Sequence, residues 1–535
     1  MHPYVAEDFT DAEVAVLRRY FTNLEGPVFA LVNLPDVVKG ALFARYSRSS
    51  KSLRRLFLDE FVGDLDLDGD ASIDATVGLE RADELYQKIF FEYGDDSVAQ
   101  LGGVHLACEQ ASNLLTKVLE RGRLMSYLEQ STRYLAYDRR LGNGLYRFYR
   151  DNELLESRFG ARYIGEMDRM FDTYRELLPE LTEWLTEKYP KTADDTDFVY
   201  RQAIRAKALD GLRGLLPASA LSNLGIYASG QAYEALILRM RAHPLPEVRE
   251  YSEMMLIELN KVIPSFLKRL DVPERGGVWT NYLRDSRSTT KNILNELHVS
   301  DADPEVGEDV RLIDFDLDGE RRVLEAIVFA NSTLSHEQAE RRVEAMSDAE
   351  RAEVFASYIG TRGNRRHRPG RAFERTDYRF EIVSDYGAFR DLQRHRMLTI
   401  EWQPLTVDLG FDVPEVVADA GIAHRYQESL LRSAELFDDV RGEFPEQAQY
   451  CVALAFRIRY VMQMNAREAM HLIELRSGPQ GHPSYRRIAQ EMARLIGEVA
   501  GHRSISEAMT FVDFSETDLE RLEAERTAER NRRNR

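Results

Sequence analysis

At 535 residues, with 44% hydrophobic and 30% charged side chains, the chain has room for about two to four domains and is neither disordered nor fibrous in composition. A formal charge of −19 disfavours nucleic acid or an anionic membrane as the main partner, so an anionic small ligand needs a local arginine cluster. Two cysteines, Cys108 and Cys451, exclude a disulfide framework and multi-cysteine metal sites. They fit a reducing cytoplasm, as does an acidic start with neither a secretion signal nor an apolar run near the roughly 20 residues of a membrane span.

In chain order, the 3.6-residue period predicts helices over 105–120, 162–189, 229–241, 248–270 and 485–500. Strand-like runs occupy 324–330, 378–384 and 397–409. The expected fold class is α+β, mainly helical. Acids and turn formers at 298–309 place a boundary between domains 1–300 and 301–515. Residues 516–535, Glu-rich and then Arg/Asn-rich, read as a charged, fraying helical end.

Residues 121–133 read Arg-Gly-Arg-Leu-Met-Ser-Tyr-Leu-Glu-Gln-Ser-Thr-Arg, and about half a chain later Arg394-His395-Arg396 opens a second, divergent stretch to 406. In one straight helix Ser126, Glu129 and Arg133 would share a face and Ser131 would point away, so a functional motif needs a turn leading into a helix, which Gly122 permits. The side chains suit a nucleotide monophosphate: Arg133 offers a donor fork, Ser131 a hydroxyl, Glu129 an acceptor. They equally suit a solvated helix face with a Glu129–Arg133 ion pair. Pro404 stops a helix through 394–406. His395 is open to three readings: acid–base group, cofactor ligand or packed imidazole.

Arg467, His471 and Glu474 share a face of a predicted helix, whose alternative reading is a salt-bridged surface helix. Residues 362–374, Arg-Gly-Asn-Arg-Arg-His-Arg-Pro-Gly-Arg-Ala-Phe-Glu, concentrate positive charge and suit a phosphate or pyrophosphate, or else a solvated basic loop. Dinucleotide and phosphate-loop glycine motifs are absent. Histidine spacing gives no local metal site, because the closest pair, His471 and His482, exceeds one helical turn.

The first stretch resembles the Arg-His-Arg-x-x-Ser-x-Asn-Glu-x-Ser-x-Arg pattern of flavin-dependent thymidylate synthases. Arg121, Arg123, Ser126, Glu129, Ser131 and Arg133 match; Gly122 and Leu128 depart. In the second copy the basic triplet is restored and Thr399 stands for the first serine, but Trp402, Pro404 and Thr406 replace the rest. Asn465-Ala466-Arg467, His471 and Leu475-Arg476 look like the family's Asn-Ala-Arg helix. Arg441 and Pro445, like Arg213 and Pro217, have its arginine-to-proline spacing, but Ser229-Gly230-Gln231 fills the Asn-Ala-Arg slot of the first half. A weaker echo pairs 44–47 with 330–332.

The resemblance implies two tandem thymidylate-synthase-complementing-protein-like α/β domains forming a pseudo-dimer, and a homodimer acting as a pseudo-tetramer. It implies reductive methylation of deoxyuridylate (dUMP) with FAD as cofactor, and NADPH and methylenetetrahydrofolate as co-substrates. Glu129 and Ser131 would orient and polarise the base. Arg133, Arg121, Arg123, Arg441 and Arg476 would bind the nucleotide. Arg394, His395, Arg396, Asn465, Arg467, His471 and Glu374 would hold FAD, and no metal is expected. The alternatives are an inactive flavin- or nucleotide-binding scaffold and a flavoenzyme acting on another pyrimidine nucleotide.

Overall fold

A computed structural model describes residues 4–34, 38–39, 42–43, 46, 49–60, 103–193, 195–299, 304–305, 307–515, 519 and 521–533. In the first half the principal elements are β1 (Val28–Leu31), β2 (Gly103–Ser112), α1 (Asn113–Leu119), β3 (Met125–Glu129), α2 (Gly160–Lys188), α3 (Asp197–Leu212), β4 (Leu221–Ser229), α4 (Gly230–Arg241), α5 (Pro246–Asn260) and α6 (Val278–Glu296). In the second half they are β5 (Val310–Phe315), α7 (Gly319–Ala330), β6 (Asp377–Asp385), α8 (Tyr386–Leu392), β7 (Thr399–Trp402), α9 (Ala423–Arg441), β8 (Arg457–Asn465), α10 (Ala466–Arg476), α11 (Pro483–Glu498) and α12 (Leu522–Arg533).

Among the described residues each half builds one four-stranded antiparallel sheet, and the orders correspond: β1-β2-β4-β3 and β5-β6-β8-β7. The registers correspond as well. Ser126 faces Tyr227 and Thr399 faces Gln463, each partner lying two residues before the helix cap that ends its strand, Ser229 or Asn465. Thr399 therefore occupies the rung of Ser126. With many helices around two such sheets, the class is α+β.

Four strands run into helices without a loop, because the last residue of the strand is also the cap. Ser112 accepts from Leu115 N, Asp385 from Ala388 N, Ser229 from Ala232 N and Asn465 from Glu468 N. This overturns the single helix expected over 105–120: its first part is β2, and Ser112 starts α1. The strand expected at 324–330 is also overturned. Val323, Leu324 and Ile327 fall on the buried stripe of α7, and helical spacing outweighs the β-branched run. The missing edge strand is β5. The expected 248–270 helix stops at Asn260, before Pro264, and of 397–409 only β7 is strand.

By their internal contacts the residues form two compact units, each drawing on both halves. Unit 1 comprises 1–177, 215–304 and 424–453; unit 2 comprises 178–214, 305–423 and 454–535. The first of the five crossings between them falls within α2, near Pro179, which has no N–H to give the helix ladder.

In unit 1, aromatic and aliphatic side chains of the N-terminal segments pack on β1 and β2, among them Tyr20, Phe21, Phe29, Phe43 and Phe57. Gly225 is required there, since a Cβ would stand 2.3 Å from the Phe43 ring. In unit 2, β8 alternates strictly, burying Ile458, Tyr460, Met462 and Met464. The charged end is helical as expected but docked rather than fraying. Arg526 pairs with Asp195 at 2.7 Å and Thr196 donates to Glu529 at 2.9 Å, against the start of α3. The 44–47 element of the weak echo lies largely outside the described residues.

Candidate functional site

In unit 2 the β7–β8 ladder sets the Arg394-His395-Arg396 turn beside the first turns of α10. His395 is buried. Its Nε2 accepts a hydrogen bond from Arg476 Nε at 2.9 Å, which leaves the ring proton on Nδ1, 3.3 Å from Glu468 Oε1. The His471 ring stands edge-on to it at 5.5 Å. His395 is thus a neutral imidazole in a relay from Arg476 to Glu468.

Burial first, and then Arg476, His471 and Arg394, hold His395 well below the usual imidazole range. Burial, followed by Arg368, Arg365, Arg476 and Arg467, lowers His471 to about 4. Glu468 is pushed the other way, up to about 7: burial outweighs the opposing pull of Arg368, Arg467 and Arg396. Burial also lowers Arg476. At neutral pH the site therefore holds two uncharged imidazoles and a half-protonated carboxyl among arginines.

The basic loop divides its labour. Arg362 forms two hydrogen bonds of 2.6 Å to Glu474, both side chains buried, and reaches the Ala508 carbonyl and the Phe511 ring. That arginine anchors the loop to α10. Arg467 does the same from the helix side, donating to Pro369 O at 2.9 Å and lying 3.4 Å from Glu374, which also accepts from Arg371. Arg365 and Arg368 have no carboxylate partner among the described residues, and their field reaches His471. Asn465 caps α10, so its carbonyl oxygen is committed to the backbone.

Three contacts escape sequence reasoning: the ion pair of Arg213, the part of Glu468 and the meeting of two histidines with it. Arg213 belongs to unit 2, buried 3.2 Å from Asp391 and 3.5 Å from Asp385; Asp391 in turn holds Arg394. Glu468 completes the relay, and its place beside Arg467 was the one signal for it. His395, Glu468 and His471 also bring ligand atoms within 4.8 Å of one another, a grouping that spacing along the chain conceals.

The first stretch is turn and strand, not turn and helix: 121–124 form the turn and β3 the rest. Arg121 and Arg123 are exposed at the turn, and Ser126 is exposed on β3. Glu129 is buried 3.4 Å from Lys117, which also binds Glu120. Arg133 is buried, its backbone N–H donating to Ser131 Oγ at 3.2 Å. The field of Arg121 bears on Arg239, Arg287 and His243. Burial and then Arg287, Arg249 and Arg121 lower His243 to about 3, a basic cluster not foreseen. Arg441 also belongs to unit 1, paired with Asp438 at 3.1 Å along α9. The expected residues thus divide between the two units.

The sequence model of the thymidylate synthase complementing protein family matches residues 41–265 and again 311–501. The chain belongs to that family. It is a double-length member, similar along nearly its whole length to proteins designated UPF0159. That of Chlamydia muridarum is 39% identical over 97% of this chain and 98% of its own. That of Thermoplasma acidophilum is 33% identical over 91% and 97%. Among solved structures, a UMP/dUMP methylase PolB from Streptomyces cacaoi, bound with 5-Br dUMP, matches 37% of this chain and 94% of its own at 18% identity and a TM-score of 0.31. No helix among the described residues is long and apolar enough to cross a membrane.

Proposed function

We propose that this family member carries out the reductive methylation of dUMP to thymidylate, with FAD as cofactor and methylenetetrahydrofolate and NADPH as co-substrates. The observation that carries the reading is the unit 2 cluster, where a basic triplet, an Asn-Ala-Arg helix and a basic loop meet around two neutral histidines. Such a donor set fits an anionic cofactor: Arg365 and Arg368 suit a pyrophosphate, and neutral His395 and His471 suit polar ring atoms. When bound, the flavin would relay the methylene group and supply hydride.

The chain's own groups bind and orient. Arg213 and Asp391 fix Arg394, while Glu468 and Arg476 fix the tautomer of His395. Glu468, near half-protonation at neutral pH, can hold or release a proton at its Oε1. Unit 1 would serve the nucleotide through Arg133, Ser131, Glu129, Arg121 and Arg123. Arg441 and Arg476 are further nucleotide-binding candidates, and Glu374, Asn465 and Arg467 order the cofactor loop and helix. We take the site to be metal-independent: both His395 nitrogens are engaged, and the surrounding arginines repel a dication. The working form would be a homodimer equivalent to a four-domain assembly, in the cytoplasm.

Purified protein supplied with FAD, dUMP, methylenetetrahydrofolate and NADPH should form thymidylate, and complementation of a thymidine-requiring cell should be lost in Arg133→Ala and Arg394→Ala. No thymidylate from FAD-loaded protein would refute the reaction. One observation favours a non-catalytic binding homologue, the engagement of Glu129 by Lys117. That reading predicts FAD and dUMP binding without turnover; product analysis with deoxycytidylate and uridylate distinguishes another substrate.

A further inference from the structure

Within unit 1, α6 is a 19-residue helix of which only Thr280 is buried. Helices in proteins gain most of their stability from packing an apolar face rather than from propensity, and so little burial leaves the apolar face of this one uncovered. Its contacts with the rest of the unit lie on one stripe. Thr280 is buried, Arg287 donates to the Ala242 carbonyl at 2.7 Å and Lys291 pairs with Glu446 at 2.8 Å.

About a quarter turn away runs a second stripe: Trp279, Tyr282, Leu283, Ser286, Thr290, Ile293, Leu294 and Leu297. Trp279 is 53% exposed, Tyr282 66% and Leu297 65%, with Ile293 and Leu294 also exposed. The positions of these residues are symmetric, with large apolar side chains towards both ends and small ones at the centre. Trp279 and Leu297, Tyr282 and Leu294, Leu283 and Ile293, and Ser286 and Thr290 are each equidistant from Ser288. At 100° per residue Ser288 itself points the opposite way, so a two-fold axis can pass through the face between Ser286 and Thr290. Large apolar side chains then flank two small ones, the arrangement that lets two helices approach closely at their crossing point.

An isologous, antiparallel pairing about that axis sets each residue against its mirror position on the other copy, so that apolar meets apolar at the ends and small meets small at the centre. At 150–250 Å² per aromatic ring and somewhat less per aliphatic side chain, the stripe exposes roughly 500 Å² of apolar surface. Two copies would remove about 1,000 Å² from water, the lower bound for a specific interface. In sequence α6 lies between the two stretches matched by the family model, 41–265 and 311–501.

We infer that α6 is a homodimerisation element that pairs antiparallel with α6 of a second copy, with Trp279 against the partner's Leu297 and Ser286 against the partner's Thr290. The pairing stands on the exposed apolar stripe, its small central residues and the area two copies would bury, and is independent of the proposed chemistry.

Sedimentation velocity of the full chain should give a dimer at micromolar concentration, and Trp279→Glu with Leu297→Glu should weaken it at least a hundredfold with an unchanged circular dichroism spectrum. Cysteine crosslinking tests the register without a disruptive change, because native Cys108 and Cys451 are both buried. Ser286→Cys with Thr290→Cys should yield a covalent dimer under mild oxidation, and Ser288→Cys should not. A monomeric wild type, a dimer unaffected by the glutamates, or equal crosslinking at 288 would each overturn the assignment. A dimer surviving the glutamates would refute this surface while leaving the proposed assembly and activity intact.

Discussion

Replacing Glu468 with glutamine isolates the cost of placing an ionisable group at the centre of the unit 2 cluster. Glu468 is 6% exposed, and its carboxyl is raised from 4.5 to about 7. Ionising a group so shifted costs roughly 3 kcal/mol relative to the unfolded chain. The folded state holds this proton more tightly than the unfolded state. The favourable linkage is therefore complete below about pH 4.5 and is lost as pH rises towards 7. Glutamine keeps a carbonyl oxygen opposite His395 Nδ1 and has no proton to lose. The variant should match the wild type at pH 4.5 to within about 1 kcal/mol and exceed it by roughly 3 kcal/mol at pH 8.5. Urea unfolding followed through Trp402 emission, with Trp184 and Trp279 replaced by phenylalanine, reads the difference, and the histidine contributions cancel between the two proteins. A difference independent of pH, or a variant that is the weaker one at pH 8.5, would refute the argument.

Arg362→Met should cost about 3–5 kcal/mol, because it leaves the Glu474 carboxylate buried without its guanidinium; adding Glu474→Leu should restore most of this in a double-mutant cycle of urea unfolding. Arg365→Ser with Arg368→Ser should leave the melting temperature within about a degree, since surface changes of this kind are small. The same pair should raise the His471 NMR titration midpoint above about 4, because both arginines favour its neutral form, and should weaken pyrophosphate binding at least tenfold. An unmoved midpoint would remove those arginines from the site.

The resemblance picked out groups that the fold assembles, but not the contacts inside them. Arg394, His395, Arg467 and His471 meet because β7 and β8 are neighbours, a pairing no local period encodes. The long helices were legible where one apolar stripe ran unbroken, as in α2, α4 and α11. Strand-to-helix junctions were not: at Ser112 the hydrophobic run continues while its period changes from two to 3.6, and only the capping serine marks the change. Arg213 was legible as a spacing and not as a partner of Asp391, since that ion pair spans far more of the chain than any motif. Glu468 needed its burial to be known before its chemistry could be read.

The corresponding registers allow the two repeats to be compared rung by rung, and one rung separates the demands of the fold from those of the ligand. Glu129 faces Leu224 on β4 and Trp402 faces Tyr460 on β8, equivalent places in the two sheets. Unit 1 fills the position with a buried carboxylate that needs Lys117 beside it, and unit 2 fills it with an indole packed 5.5 Å from the Phe389 ring. The cation is not exchanged with it: five residues after the strand-ending caps Ser112 and Asp385 stand Lys117 and Arg390, both buried, so only the carboxylate differs between the repeats. The caps behave differently. Ser229 and Asn465 both keep a side-chain oxygen on the first turn, because the helix requires one there, whereas the residue two places on is Gln231 in one repeat and Arg467 in the other. A cap is thus explained by the fold alone, while the Glu129 carboxylate has no counterpart on the equivalent rung of unit 2. That asymmetry, separate from any resemblance, supports the proposal that Glu129 serves a ligand, whether or not turnover follows.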